Sequence, residues 1–91
     1  MDSSVEHHAL TRICDGTSQT LANFHGVVNY CVIKNGKTSR NVIVSVKGFR
    51  NTLLAPGYAI VCRTSLVKVR GLAGSVVTIE FVGPPDLALG I

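Results

Sequence analysis

The chain has no tryptophan, and only 5% of its 91 residues are aromatic: Phe24, Tyr30, Phe49, Tyr58 and Phe81. Any core must therefore be built mainly from aliphatic side chains. No apolar run approaches the roughly 18–20 residues that a membrane-crossing helix needs, so no transmembrane segment is expected. Acidic residues are missing from Gly16 through Ile79; Asp2, Glu6, Asp15, Glu80 and Asp86 all lie near the ends. Paired carboxylates for acid–base chemistry are thereby excluded from the middle of the chain, as is an acid to orient a His25–Cys31 nucleophile pair. His7, His8, Cys14, His25 and Cys31 could ligate a metal, but no Cys-x-x-Cys or His-x₃-His spacing joins them. Phosphate-cradling glycine motifs are also absent. The sequence reads as non-enzymatic, with no metal and no cofactor.

Three cysteines, Cys14, Cys31 and Cys62, are an odd and widely spaced set. They read as small buried hydrophobes in a reducing compartment rather than as a disulfide framework. The N-terminus lacks a charged start followed by an apolar stretch, which predicts an intracellular location, in the cytoplasm or nucleus of a host cell.

What is present is basic and β-forming. Lys34, Lys37, Arg40, Lys47, Arg50, Arg63, Lys68 and Arg70 fall in the acid-free segment and give it a formal charge of +8. Such a field attracts phosphate backbones or anionic lipid heads. The whole chain is 46% hydrophobic with a mean hydropathy of +0.36, and its length fits one domain, residues 1–91. Residues 1–8 are polar and read as a loose start, and residues 84–91 as an apolar tail after Pro84-Pro85.

Strands are expected over 9–14, 27–33, 40–47, 58–63 continuing or restarting over 66–70, and 76–82. Residues 15–23 read as a loop or a short helical turn and 48–57 as a connector ending in a Pro-Gly turn. Asn35-Gly36 is the preferred centre of a two-residue type I′ turn, which predicts a hairpin pairing the strands on either side of it. Val42, Val44 and Val46 face one way and Asn41, Ser45 and Lys47, with Ile43, the other, and Val67 and Val69 alternate with Lys68 and Arg70; each pattern predicts a strand with one buried face. Phe81 shares the apolar face of Val77 and Ile79. No helical stripe exceeds two turns. The expected fold is all-β: a small five-stranded barrel or curled antiparallel sheet, dimeric to hide its edges.

Three stretches resemble the gene-five-type single-stranded DNA-binding proteins of filamentous phages. Tyr30-Cys31-Val32-Ile33-Lys34-Asn35-Gly36, followed by the Val42–Val46 strand, is similar to that family's central loop and strand. Leu54–Val61 resembles its Pro/Gly turn and aromatic-led strand, and Ser65–Ser75 its penultimate strand and glycine-bounded hairpin. The chain departs from the family at Leu72 and Ala73, where an aromatic stacks on bases. The resemblance implies an OB-like barrel, a homodimer, a viral origin and single-stranded DNA as partner.

The residues themselves predict a nucleic-acid-binding module, favouring single strands of DNA or RNA with weak sequence specificity. Lys34, Lys37, Arg40, Lys47, Arg50, Arg63, Lys68 and Arg70 would track the backbone, and Phe49 and Tyr30 would stack on bases. The alternative is an assembly or protein-interaction accessory module, of a kind viruses encode. It would self-associate through strand edges or through Leu87, Leu89 and Ile91 of the tail.

Overall fold

The computed structural model describes residues 6–37, 40–47 and 51–83. Eight strands run β1 (Glu6–Ile13), β2 (Ser18–Asn23), β3 (Asn29–Asn35), β4 (Val42–Val46), β5 (Thr52–Leu54), β6 (Ala59–Thr64), β7 (Leu66–Arg70) and β8 (Val76–Gly83). They form two four-stranded sheets, in the orders β1-β8-β3-β6 and β2-β7-β4-β5. Every pairing is antiparallel.

The pairings are nested: β1 with β8, β2 with β7, β3 with β6, β4 with β5. The chain changes sheet at every connection except β4–β5. An eight-stranded double sheet wound this way is a jelly roll. The expected all-β class is correct. The expected five-stranded barrel is not: two open sheets stack face to face, and both keep their edges.

The core lies between the sheets and is aliphatic, as the shortage of aromatics requires. Val42, Val44, Val67 and Val69 from one sheet meet Ile33, Val77, Ile79 and Phe81 from the other. Each comes from the apolar set of an alternating strand; β4, for example, buries Val42, Val44 and Val46 and exposes or half-exposes Ile43 and Ser45. Cys14 and Cys31 are buried in this core and Cys62 is half-buried. Phe24 closes the core at one end, its ring edge-on to Phe81 with centroids 4.9 Å apart.

The hairpin expected at Asn35-Gly36 does not form. β3 and β4 lie in different sheets, and the segment between them is a crossover. The reason is the use made of Asn35. Its side chain turns inward, and its Nδ2 donates to the carbonyls of Arg40 (2.7 Å) and Leu54 (3.0 Å). Its backbone N–H donates to the Tyr58 carbonyl and its carbonyl accepts from Gly57. Gly36 N–H continues onto the Val76 carbonyl of β8 instead of turning back. Asn35 thus ties together the end of β3, the crossover, the end of β5 and the next turn, and satisfies buried backbone groups that would otherwise be costly.

Three further expectations change. Residues 15–23 contain β2, hidden from the alternation rule by a register shift between Thr20 and Ala22. The 48–57 connector contains the short strand β5. β1 begins at Glu6, inside the segment read as a loose start. The Pro-Gly turn does form: Tyr58 N–H donates to the Ala55 carbonyl, with Gly57 at φ 78°, the geometry of a type II turn with Pro at its second position and Gly at its third.

Candidate interaction surface

Alternation assigns each predicted site residue that lies on a strand to an inner or outer face, and the topology assigns it to a sheet. Tyr30, Lys34 and Arg63 stand on the outer face of β1-β8-β3-β6. Lys68 and Arg70 stand on the outer face of β2-β7-β4-β5, on the opposite side of the sandwich. Lys37 follows β3 and shares a shallow depression of about 400 Å³ with Lys34 and Tyr58. Arg40 and Lys47 flank the two ends of β4, both exposed. Phe49 and Arg50 lie outside the described residues. The basic residues that are described therefore do not converge on one groove; they spread over two faces and the strand ends.

The outer face of β1-β8-β3-β6 has the more definite chemistry. Arg63 lies directly opposite Tyr30, and its guanidinium carbon sits 5.3 Å from the Tyr30 ring centre, a cation–π contact. Lys34 Nζ is 2.7 Å from Glu80 Oε2, so part of this lysine's field is spent within the chain. That hydrogen bond is the main reason the Glu80 carboxyl is held below its ordinary value. A depressed carboxylate stabilises the fold above its unfolded pKa, and the contribution is lost as pH falls through the folded value. The pair is solvent-exposed, so its contribution is small.

Between these charges the face is apolar. Val32 lies opposite Val61 on one side and Glu80 on the other. Tyr30, Val61 and Val82 are 66%, 67% and 49% exposed. Val61 belongs to β6, which among the described residues pairs only with β3 and has its far edge unpaired. Beyond that edge a groove of about 250 Å³ opens between the sheets, lined by Val46, Thr52, Ile60, Val61 and Cys62. β6 carries one charge, Arg63, in six residues. Edge strands are usually protected by charges, proline or brevity; β5, the edge of the other sheet, has only three residues, whereas β6 has little protection.

The sequence reading missed Val61 and Val32, though a signal was there. Ala59-Ile60-Val61-Cys62 is apolar on both faces of its strand, and a strand with one wet face would alternate. Among the described residues no three His, Cys, Asp or Glu side chains group as metal ligands, and no helix is long and apolar enough to cross a membrane.

No protein-family model and no curated protein matches this chain. Solved structures do match in fold. A protein of Bacillus endospore appendages, described as a novel family of disulfide-linked pili, superposes with a TM-score of 0.61 at 11% identity, over 88% of this chain and 86% of that one. A Neisseria meningitidis protein matches at 0.49 and 16% identity, over 89% and 77%. An ethanolamine utilization protein Q of Salmonella typhimurium matches at 0.49 and 13%, over 92% of this chain and 61% of that one. None of the three is a gene-five-type DNA-binding protein. At such identities the appendage protein supports the fold and nothing finer.

Proposed function

We propose that this chain is a self-associating assembly module whose copies join along the open edge of β6. The observation that carries this reading is Val61, 67% exposed on an edge strand with a single charge. The strand is complementary to a second copy of itself. Set antiparallel about Val61, the two β6 strands place Ala59 opposite Arg63 and Ile60 opposite Cys62. Inward residues then meet inward residues, and the two arginines are not opposed. A two-fold pairing of this kind extends β1-β8-β3-β6 into an eight-stranded sheet and brings two Val61 side chains together on its outer face. The appendage protein described as forming pili offers a precedent for such a fold in an assembly.

Sedimentation velocity over a wide concentration range tests this. The protein is expected to sediment as a dimer or larger, and Val61→Lys as a monomer, because two lysines would then face each other across the new pair. Leu53→Lys, on the outer face of the other sheet, should leave association unchanged. A protein that stays monomeric at its highest soluble concentration would end this reading.

A second reading keeps the nucleic-acid expectation in narrower form. It rests on the exposed Tyr30 ring with Arg63 stacked on it and Lys34 further along β3. Base stacking on such a ring contributes about 1–3 kcal/mol per base. Anisotropy of a labelled single-stranded oligonucleotide at two salt concentrations separates the readings. On this account Tyr30→Ala and Arg63→Ala weaken binding, while Val61→Lys, which adds a positive charge, does not. Absence of binding at low salt removes it.

A further inference from the structure

The arrangement of two cysteines in the β3–β6 ladder carries an inference that does not rest on the assembly reading, although the groove it uses borders the same β6 edge. Cys31 and Cys62 are direct cross-strand partners and both face inward. Four residues along the same strand, Asn35 N–H donates to the Tyr58 carbonyl; since pair types alternate, Cys31 and Cys62 occupy a hydrogen-bonded pair, for which Cα atoms lie about 5.5 Å apart. That spacing falls within the roughly 4.4–6.8 Å that a disulfide spans. We infer that Cys31 and Cys62 are a dithiol site that a small-molecule disulfide oxidises to an internal cross-strand disulfide.

Access decides the order of events. Cys31 is 1% exposed, whereas Cys62 is half-buried and lines the groove of about 250 Å³ beside the β6 edge. The Cys62 thiolate attacks one sulfur of the oxidant and releases one thiolate, leaving a mixed disulfide on Cys62. Cys31 then attacks the Cys62 Sγ, forming the Cys31–Cys62 bond and releasing the second thiolate. The two cysteine protons end on the two released thiols: the protein dithiol is oxidised and the oxidant reduced to two thiols. Burial raises the pKa of both groups, and Cys31, with the Cys62 thiol beside it as a lesser cause, is pushed up to about 12. The thiolate is therefore scarce at neutral pH, and the reaction should quicken as pH rises. Cys14 is buried without such a partner and stays reduced.

The experiment is incubation of the full chain with oxidised glutathione at mildly alkaline pH, followed by intact-mass measurement and mapping of non-reduced peptides. The expected product is a monomer lighter by two hydrogens, with Cys31 and Cys62 peptides linked, restored by dithiothreitol. Cys14→Ser should behave the same, and Cys62→Ala, a change at a half-buried site, should lose the product. A glutathione adduct that persists on Cys62, or a disulfide-linked dimer in place of the internal bond, would overturn the inference, as would an unchanged mass.

Discussion

Replacing Phe24 with Ala is expected to remove about 3–5 kcal/mol of stability. Phe24 is 0% exposed and lies just beyond β2, where the chain leaves one sheet for the other. Its N–H donates to the Ser65 carbonyl at 2.8 Å, and its own carbonyl accepts from Val27. Its ring meets Phe81 edge-on, and Phe81 in turn stacks on His8 at 5.1 Å. Truncation opens a cavity where two crossovers converge and deletes an aromatic pair that adds about 0.5–1.5 kcal/mol beyond its buried area. A domain of this size has roughly 5–14 kcal/mol in total, so the loss is a large share, equivalent to a fall in Tm of roughly 15–30 °C. Urea and thermal unfolding would measure it, with Phe24→Leu expected to keep part of the difference. Tyr30→Ala, at an exposed ring, should cost about 0.5 kcal/mol or less. A Phe24→Ala cost as small as that of Tyr30→Ala would mean that Phe24 does not close the core.

Much of this core could be read from period-two patterning. Val42, Val44 and Val46, Val67 and Val69, and Val77, Ile79 and Phe81 face inward as expected. Pairing could not be read in the same way. In a jelly roll nearly every strand pairs with one distant in sequence, and here only β4 and β5 are both consecutive and paired. Local turn chemistry then misleads. Asn35-Gly36 has the composition of a hairpin turn, but the carboxamide is worth more as a buried donor to two carbonyls. β2 was obscured because Ser18, Gln19 and Thr20 are polar and a register shift breaks the alternation before Ala22.

The same limit applies to the site. Patterning marks Lys68 and Arg70 as outward-facing, and they are; Lys34 and Arg63 are outward-facing too. It does not say that the first two and the last two look in opposite directions, because that depends on the change of sheet at Ser65 between β6 and β7. Four of the eight charges along the acid-free segment are thus divided between two opposite faces. Lys34 is further paired with Glu80, 46 residues away, a neutralisation that no local window contains. The apolar edge at Val61 was partly legible, since Ala59 to Cys62 lacks any polar position, but its exposure follows only once β6 is known to end its sheet.

Gly71→Ala is the second substitution with a large expected effect, about 1–3 kcal/mol, and its cause is close approach rather than backbone conformation. Gly71 follows β7, where the chain leaves β2-β7-β4-β5 for β8, and its carbonyl accepts from Gly16 N–H at 2.9 Å. A Cβ there would stand 2.7 Å from Val42 Cγ1, 3.0 Å from Cys14 Sγ and 3.4 Å from Cys14 Cβ. Val42 is fully buried in β4, and its β-branched side chain has few rotamers into which to retreat. The strain must therefore move backbone, either at β4 or at the crossover. If the clash with Val42 dominates, shortening Val42 should relieve it. The double variant Gly71→Ala/Val42→Ala should then lose less stability than the two single losses added, by about 1 kcal/mol or more, within the coupling range of contacting residues. Denaturant unfolding of the four proteins gives this coupling directly. Strict additivity would show that Val42 does not confine Gly71, and the contact with Cys14 would be left to explain the cost, tested by the same cycle with Cys14→Ala.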